Sequence, residues 1–183
     1  MHRRQLPPLA LAVLALLVAG CAGPGTDDDL LVEHGLDGLD GRELVAELES
    51  SDDARPFAFA ASVREDVVLV GDEDAEVEVA LPDGESYVSI APYVESTHDC
   101  YYHSLATCQG ELADQPVTVT ITDDAGEVLV DEATTTEANG FVGFWLPEDV
   151  TGTITVEHAD GVGSVPFSTA DGSPTCITTL QLT

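Results

Sequence analysis

Lysine is absent from all 183 residues. With Arg3 and Arg4 confined to the first few positions, Arg42, Arg55 and Arg64 are left against 35 acidic side chains, and the formal charge is −30. Neutralising phosphates requires clustered Lys and Arg, so this composition excludes nucleic acid as a partner. The same deficit argues against docking on an anionic membrane surface. The acidic excess reads first as a strongly solvated exterior. Methionine does not recur after Met1, which removes thioethers from any soft-metal site. Apolar runs are short as well. Leu9 to Val18 has ten residues, against the roughly 20 that a bilayer-spanning helix needs. GxSxG, HExxH, a Walker loop and a dinucleotide fingerprint are all missing, and the familiar enzyme classes go with them.

The first twenty residues have the pattern of an export signal. Arg3 and Arg4 form a basic n-region, Leu9 to Val18 an h-region, and Ala19-Gly20 a small-residue cleavage site before Cys21. Val18-Ala19-Gly20-Cys21 looks like a bacterial lipobox, which implies cleavage before Cys21 and lipidation of its thiol. The expected location is therefore the cell envelope, anchored to the outer, periplasmic face of the cytoplasmic membrane. Residues 21–29 are small and polar, and read as a flexible tether.

A hydrophobic content of 44% keeps the remainder in the globular class. The expected fold class is α+β: a small N-terminal α+β domain over 30–92, then an all-β, sandwich-like domain over 93–183, with the boundary near Pro92. Asp40 followed by Glu43 is a capping-box pattern, and Leu44, Val45 and Leu48 form one stripe, which predicts a helix over about Gly41 to Ser50. Ahead of it, Leu30 to Leu39 reads as a short helix and a turn, with His34 exposed. From Pro56 the period becomes two. Strands are expected at 57–60, 67–70, 77–81 and 87–90, then 117–121, 128–130, 141–146, 153–158, 163–167 and 177–182. Phe141, Phe144 and Trp145 read as a core strand rather than a stacking platform, and His158 as an edge residue.

Chemistry concentrates in His98-Asp99-Cys100-Tyr101-Tyr102-His103-Ser104-Leu105-Ala106-Thr107-Cys108. The remaining cysteine, Cys176, lies far along the chain in Pro174-Thr175-Cys176. Cys100 and Cys108 would stand about 26 Å apart on a strand and about 12 Å apart on a helix. A bridge needs α-carbons about 4.4–6.8 Å apart, so the segment must turn back if they cooperate. With Cys21 lipidated, three cysteines remain in an oxidising compartment. An odd count leaves a free thiol, an intermolecular bridge, or a metal holding all three. Three thiolates suit Cu(I), whereas zinc would take a fourth ligand from His98 or His103. Spacing alone leaves disulfide and metal both open.

The same segment, with Gly140-Phe141-Val142-Gly143-Phe144-Trp145-Leu146-Pro147 and Pro174-Thr175-Cys176, resembles the CueP family of copper-binding proteins of the bacterial cell envelope. The resemblance runs from about Leu30 to the C-terminus. It implies copper binding and copper tolerance, with Cys100, Cys108 and Cys176 matching the family's three cysteines. It also implies a two-domain subunit that can form a homodimer through its N-terminal half. The lipobox sets this chain apart from a freely diffusing form.

The leading expectation is a lipoprotein that holds Cu(I) on Cys100, Cys108 and Cys176, with His98 or His103 as an auxiliary ligand or as the cation that lowers a thiol pKa. Its role would be copper buffering, tolerance or delivery, with a copper-accepting protein or a thiol reductase as partner and no catalytic residue assigned. Two alternatives stand beside it. One is a thiol-dependent reductase of Cu(II) to Cu(I). The other is a surface interaction module stapled by a Cys100–Cys108 disulfide.

Overall fold

The structure is a computed structural model and describes residues 27–73 and 75–183. The expected export signal, the expected lipidation site at Cys21 and most of the expected tether lie outside the described residues. Among the described residues, two helices, α1 (Asp27–Glu33) and α2 (Gly41–Glu49), precede ten strands. These are β1 (Ala60–Val63), β2 (Val67–Gly71), β3 (Glu76–Ala80), β4 (Glu85–Ile90), β5 (Pro116–Asp123), β6 (Val128–Thr135), β7 (Val142–Pro147), β8 (Thr151–His158), β9 (Gly161–Ser168) and β10 (Cys176–Ile177). The fold class is α+β, with helices at the N-terminus and a sandwich-like arrangement of strands behind them. None of the described helices is long and apolar enough to cross a membrane.

Helix α2 starts where its capping box dictates. The Asp40 carboxylate accepts from the Glu43 backbone N–H at 2.9 Å, and Glu43 reaches back to the Asp40 N–H at 3.1 Å. Gly41, Leu44, Val45, Leu48 and Glu49 form its buried face. That face covers the antiparallel sheet β1-β2-β3, on which Ala61, Val63, Val68 and Val70 point inward at period two.

The other core lies between two sheets. The sheet β6-β5-β8-β9 is antiparallel throughout and sends Val117, Val119, Ile121, Ile154 and Val156 inward. Facing it is the sheet β10-β4-β7, where β4 runs parallel to β10 and antiparallel to β7. Strand β4 is buried on both faces. Val88 and Ile90 enter the sandwich core, while Tyr87 and Ser89 face the α2 side. A strand that sequence reading places in the N-terminal unit thus pairs entirely with strands of the second half. Between the two cores sits a small third cluster of Ala91, Cys108, Phe141 and Cys176, with Cys100 at its margin.

Several local expectations shift. Phe57 to Phe59 is not a strand, and only Ala60 of the expected stretch enters β1. The Phe57 N–H is satisfied by the Ala106 carbonyl at 3.1 Å, and Phe57 and Phe59 lie half-buried on the first core. Alternation there reflects packing over a core without a sheet neighbour. Of the strand expected over 177–182 only Ile177 joins a ladder, with Cys176 before it, since Leu180 and Leu182 bond to Tyr93 instead. Strand β7 is a sheet edge, and its Trp145 is half-buried beneath the Arg42 guanidinium, 4.3 Å from the ring centroid. His34 is half-buried rather than exposed, stacked 4.3 Å from Phe59. Helix α1 takes in Asp27 to Asp29, which the tether reading had included.

Candidate metal centre

The cysteine segment does turn back on itself. Ser104 is the pivot: its carbonyl accepts from the Cys108 N–H at 3.0 Å, and its Oγ accepts from the Thr107 N–H at 3.2 Å. Ser104 also bridges to Ser62 of β1, and the His103 carbonyl accepts from the Val63 N–H at 2.8 Å. Leu105 and Ala106 anchor the turn by burial in the first core. Cys176 comes from the other half of the chain, registered beside Ser89 of β4. Its N–H donates to the Tyr101 carbonyl at 3.1 Å. Thr175 Oγ1 accepts from the His103 N–H and donates to the Val63 carbonyl, both at 2.9 Å. Loop, sheet edge and C-terminal segment are thereby knitted together.

This framework gathers the thiols. Cys100 Sγ and Cys108 Sγ are 3.5 Å apart, and Cys176 Sγ is 3.8 Å from His103 Nδ1. All three cysteines are free. Among the described residues, two donor trios have ligand atoms within 4.8 Å of one another: His98, Cys100 and Cys108 towards the surface, and His103, Cys108 and Cys176 in the interior. An ion with three bonds of about 2.2 Å separates its donors by about 3.8 Å, so either trio closes on a metal with small movements. Phe141, fully buried, forms the floor, with the His103 ring 4.5 Å and the His98 ring 6.2 Å from its own.

Behind the thiols is a buried charge pair. His103 Nε2 lies 3.1 Å from Glu49 Oε2, with both side chains almost wholly removed from solvent. Glu49 also accepts from Tyr87 Oη at 3.1 Å, Ser89 Oγ at 2.8 Å and Asn139 Nδ2 at 3.0 Å. Burial alone would raise the Glu49 carboxyl, but the His103 charge and the hydrogen bonds from His103, Ser89 and Tyr87 outweigh it and hold it below the usual range. Burial would likewise lower His103. The Glu49 carboxylate, with contacts to Cys100 and Cys108, prevails and keeps the imidazole well above its ordinary value.

The cationic ring then acts on the sulfurs. Hydrogen bonds from Cys100 and Cys176, with His103 behind them, overcome burial and hold Cys108 below the ordinary thiol range. Cys176 is pushed up by Cys100 and Cys108, then by burial. A lowered Cys108 beside a raised Cys176 makes Cys108 the readier of the two to act as a thiolate. Such a cluster can take up a soft cation by losing the remaining protons.

Every residue singled out from the sequence segment thus lies in or beside one cluster, with different exposures. His103 is buried, while His98 is half-buried at the mouth with its Nε2 lacking a protein partner. Tyr101 is exposed and its hydroxyl donates to the Gly172 carbonyl. Tyr102 packs edge-on against it at 5.0 Å and carries the Arg64 guanidinium at 4.2 Å. Glu49, Asn139 and the floor position of Phe141 were not foreseen. The signal for Glu49 was present, because the stripe Leu44, Val45, Leu48 continues at a spacing of four onto residue 49. A glutamate on that face must find buried partners.

Three thiols and two imidazoles, set where a helix-backed sheet meets a β-sandwich, define a small α+β protein with a soft-metal centre. Residues 43–181 match the family model described as "Periplasmic copper-binding protein CueP". The chain is also similar to the crystal structure of S.CueP, with 34% identity over 88% of this chain and 100% of that one and a TM-score of 0.83. No curated protein matches it. The chain belongs to the CueP family of periplasmic copper-binding proteins, so copper is the expected ion and the site of action is extracytoplasmic.

Proposed function

We propose that this protein is a lipid-anchored Cu(I) buffer or donor, holding one ion on Cys100, Cys108 and Cys176 at the outer face of the cytoplasmic membrane. The observation that supports the reading is that the distant Cys176 lies within 4.8 Å of Cys108, itself 3.5 Å from Cys100, with His103 and Glu49 supplying a buried charge that favours thiolate. His103 serves the thiols from behind. Anchoring rests on the lipobox ending at Cys21, and a homodimer through the N-terminal half rests on the family resemblance. The test is Cu(I) competition against a chromophoric chelator under reducing conditions. Each single change, Cys100→Ser, Cys108→Ser or Cys176→Ser, is expected to weaken Cu(I) binding by orders of magnitude. Unchanged affinity in all three would sink the three-thiolate site, and a loop pair isolated as a disulfide with no Cu(I) site would favour the interaction module.

A second reading is supported by the 3.5 Å separation of Cys100 and Cys108. In it, two Cu(II) ions accept one electron each, the two thiols lose two electrons and two protons, and a Cys100–Cys108 disulfide forms. A reductase partner would then reset the pair. Anaerobic mixing with excess Cu(II) separates the readings. Buffering predicts thiols preserved, whereas turnover predicts two thiols lost to one new disulfide for every two Cu(I) made.

A further inference from the structure

His98 and His103 share the cysteine loop, yet their surroundings differ. His103 is fully buried, and both of its nitrogens are engaged, Nε2 by Glu49 and Nδ1 by Cys176. His98 is half-buried, its Nε2 shielded from solvent and without a partner in the protein, and the residue lines with Cys100 and Cys108 an open cleft of about 550 Å³. Cys176 is buried and does not line that cleft. Copper arriving from solvent therefore meets His98, Cys100 and Cys108 before it can meet Cys176.

We infer that His98 is a capture ligand: Cu(I) is first held by His98, Cys100 and Cys108 at the mouth, and then moves inward by exchanging His98 for Cys176. This rests on the three-thiolate reading above and adds an entry route to it. Cys100 and Cys108 stay bound throughout, so the ion is never released during the move. The Cu–N bond to His98 breaks as the Cu–S bond to Cys176 forms, and the Cys176 thiol proton leaves to the buffer. No change of oxidation state is involved. Movement between overlapping donor sets has a low barrier because each intermediate keeps at least two soft ligands. The reverse sequence serves release to an acceptor, which can compete for the ion at the exposed set.

A ligand used only in transit changes rates and leaves the equilibrium alone. The test is anaerobic stopped-flow loading of the reduced full chain from a Cu(I)–chelator complex, with equilibrium competition on the same samples. In His98→Ala, loading and chelator-driven release are both expected to slow by about tenfold, with affinity held within about threefold. Loading at the wild-type rate overturns the proposal. So does a loss of affinity that matches the loss of rate, because His98 would then be a resident ligand. Cys176→Ser gives an independent check, since it confines copper to the outer set. Its residual Cu(I) affinity should fall further, by about tenfold or more, when His98→Ala is added. No further fall overturns the proposal. Failure of the wild-type protein to hold Cu(I) tightly would instead overturn the three-thiolate reading itself, a result distinct from each of these.

Discussion

Glu49 is the residue on which the centre's electrostatics turn, although it touches no thiol in the hydrogen-bond framework. Four donors converge on its two oxygens from β4, the cysteine loop and the turn before β7. Removing one partner of a buried ion pair costs about 3–5 kcal/mol, chiefly by leaving the other charge unpaired. Glu49→Gln keeps the shape but offers an amide where two donors expect an oxygen. We expect it to destabilise the metal-free protein by about 3 kcal/mol in urea unfolding. It should also lower the His103 pKa, read by NMR. The pH dependence follows from the two directions. Glu49 lies below its ordinary value, so its contribution is present above about pH 4.3 and lost as pH falls through the folded value. His103 lies above its own, so its contribution is complete below about pH 6.5 and lost as pH rises through the folded value. The stability gap between wild type and Glu49→Gln should thus be widest between about pH 4.3 and 6.5. A gap that does not vary with pH would contradict the ion pair.

At the scale of elements, β4 and β7 hold the centre's back wall. Gly143 of β7 pairs with Ser89, and the Tyr87 ring lies across it in the space a β-carbon would need. Gly143→Ala must displace a buried ring from its hydrogen bond to Glu49. Over-packing of this kind costs about 1–3 kcal/mol, so thermal unfolding should show a clear loss while α2 and the sandwich remain. A melting temperature equal to wild type would mean that the wall yields freely. Elements are also where sequence legibility divides. Helix α2 was readable because cap and stripe are local, and β2, β3, β5, β6 and β8 because alternation and turns are local too. The cysteine segment showed its donors but not their arrangement. Its reversal depends on Ser104 meeting Ser62 and on Leu105 finding the first core, contacts that span over forty positions. Strand β10 was over-extended because Tyr93, far upstream, captures Leu180 and Leu182. Glu49 could be placed on a buried face, but its partners lie 38 to 90 positions away and left no local trace.

For the whole molecule, charge and topology divide the work. The chain carries a formal charge of −30, while Arg42, Arg55 and Arg64 each lie over an aromatic ring: Arg42 on Trp145, Arg55 on Phe57 and Arg64 on Tyr102. The cations are thus committed to local packing. Topology brings Cys176 from one end of the second half to a loop that is itself pinned to β1 and the first core. A copper ion bound there joins both cores, and its binding free energy adds to the stability of the entire fold. That convergence is the central claim, and X-ray absorption on the Cu(I)-loaded, reduced protein tests it most directly. Three sulfurs at about 2.2–2.3 Å from the copper are expected, falling to two in Cys176→Ser. A shell with two or fewer sulfurs in the wild type, unchanged by Cys176→Ser, would contradict it.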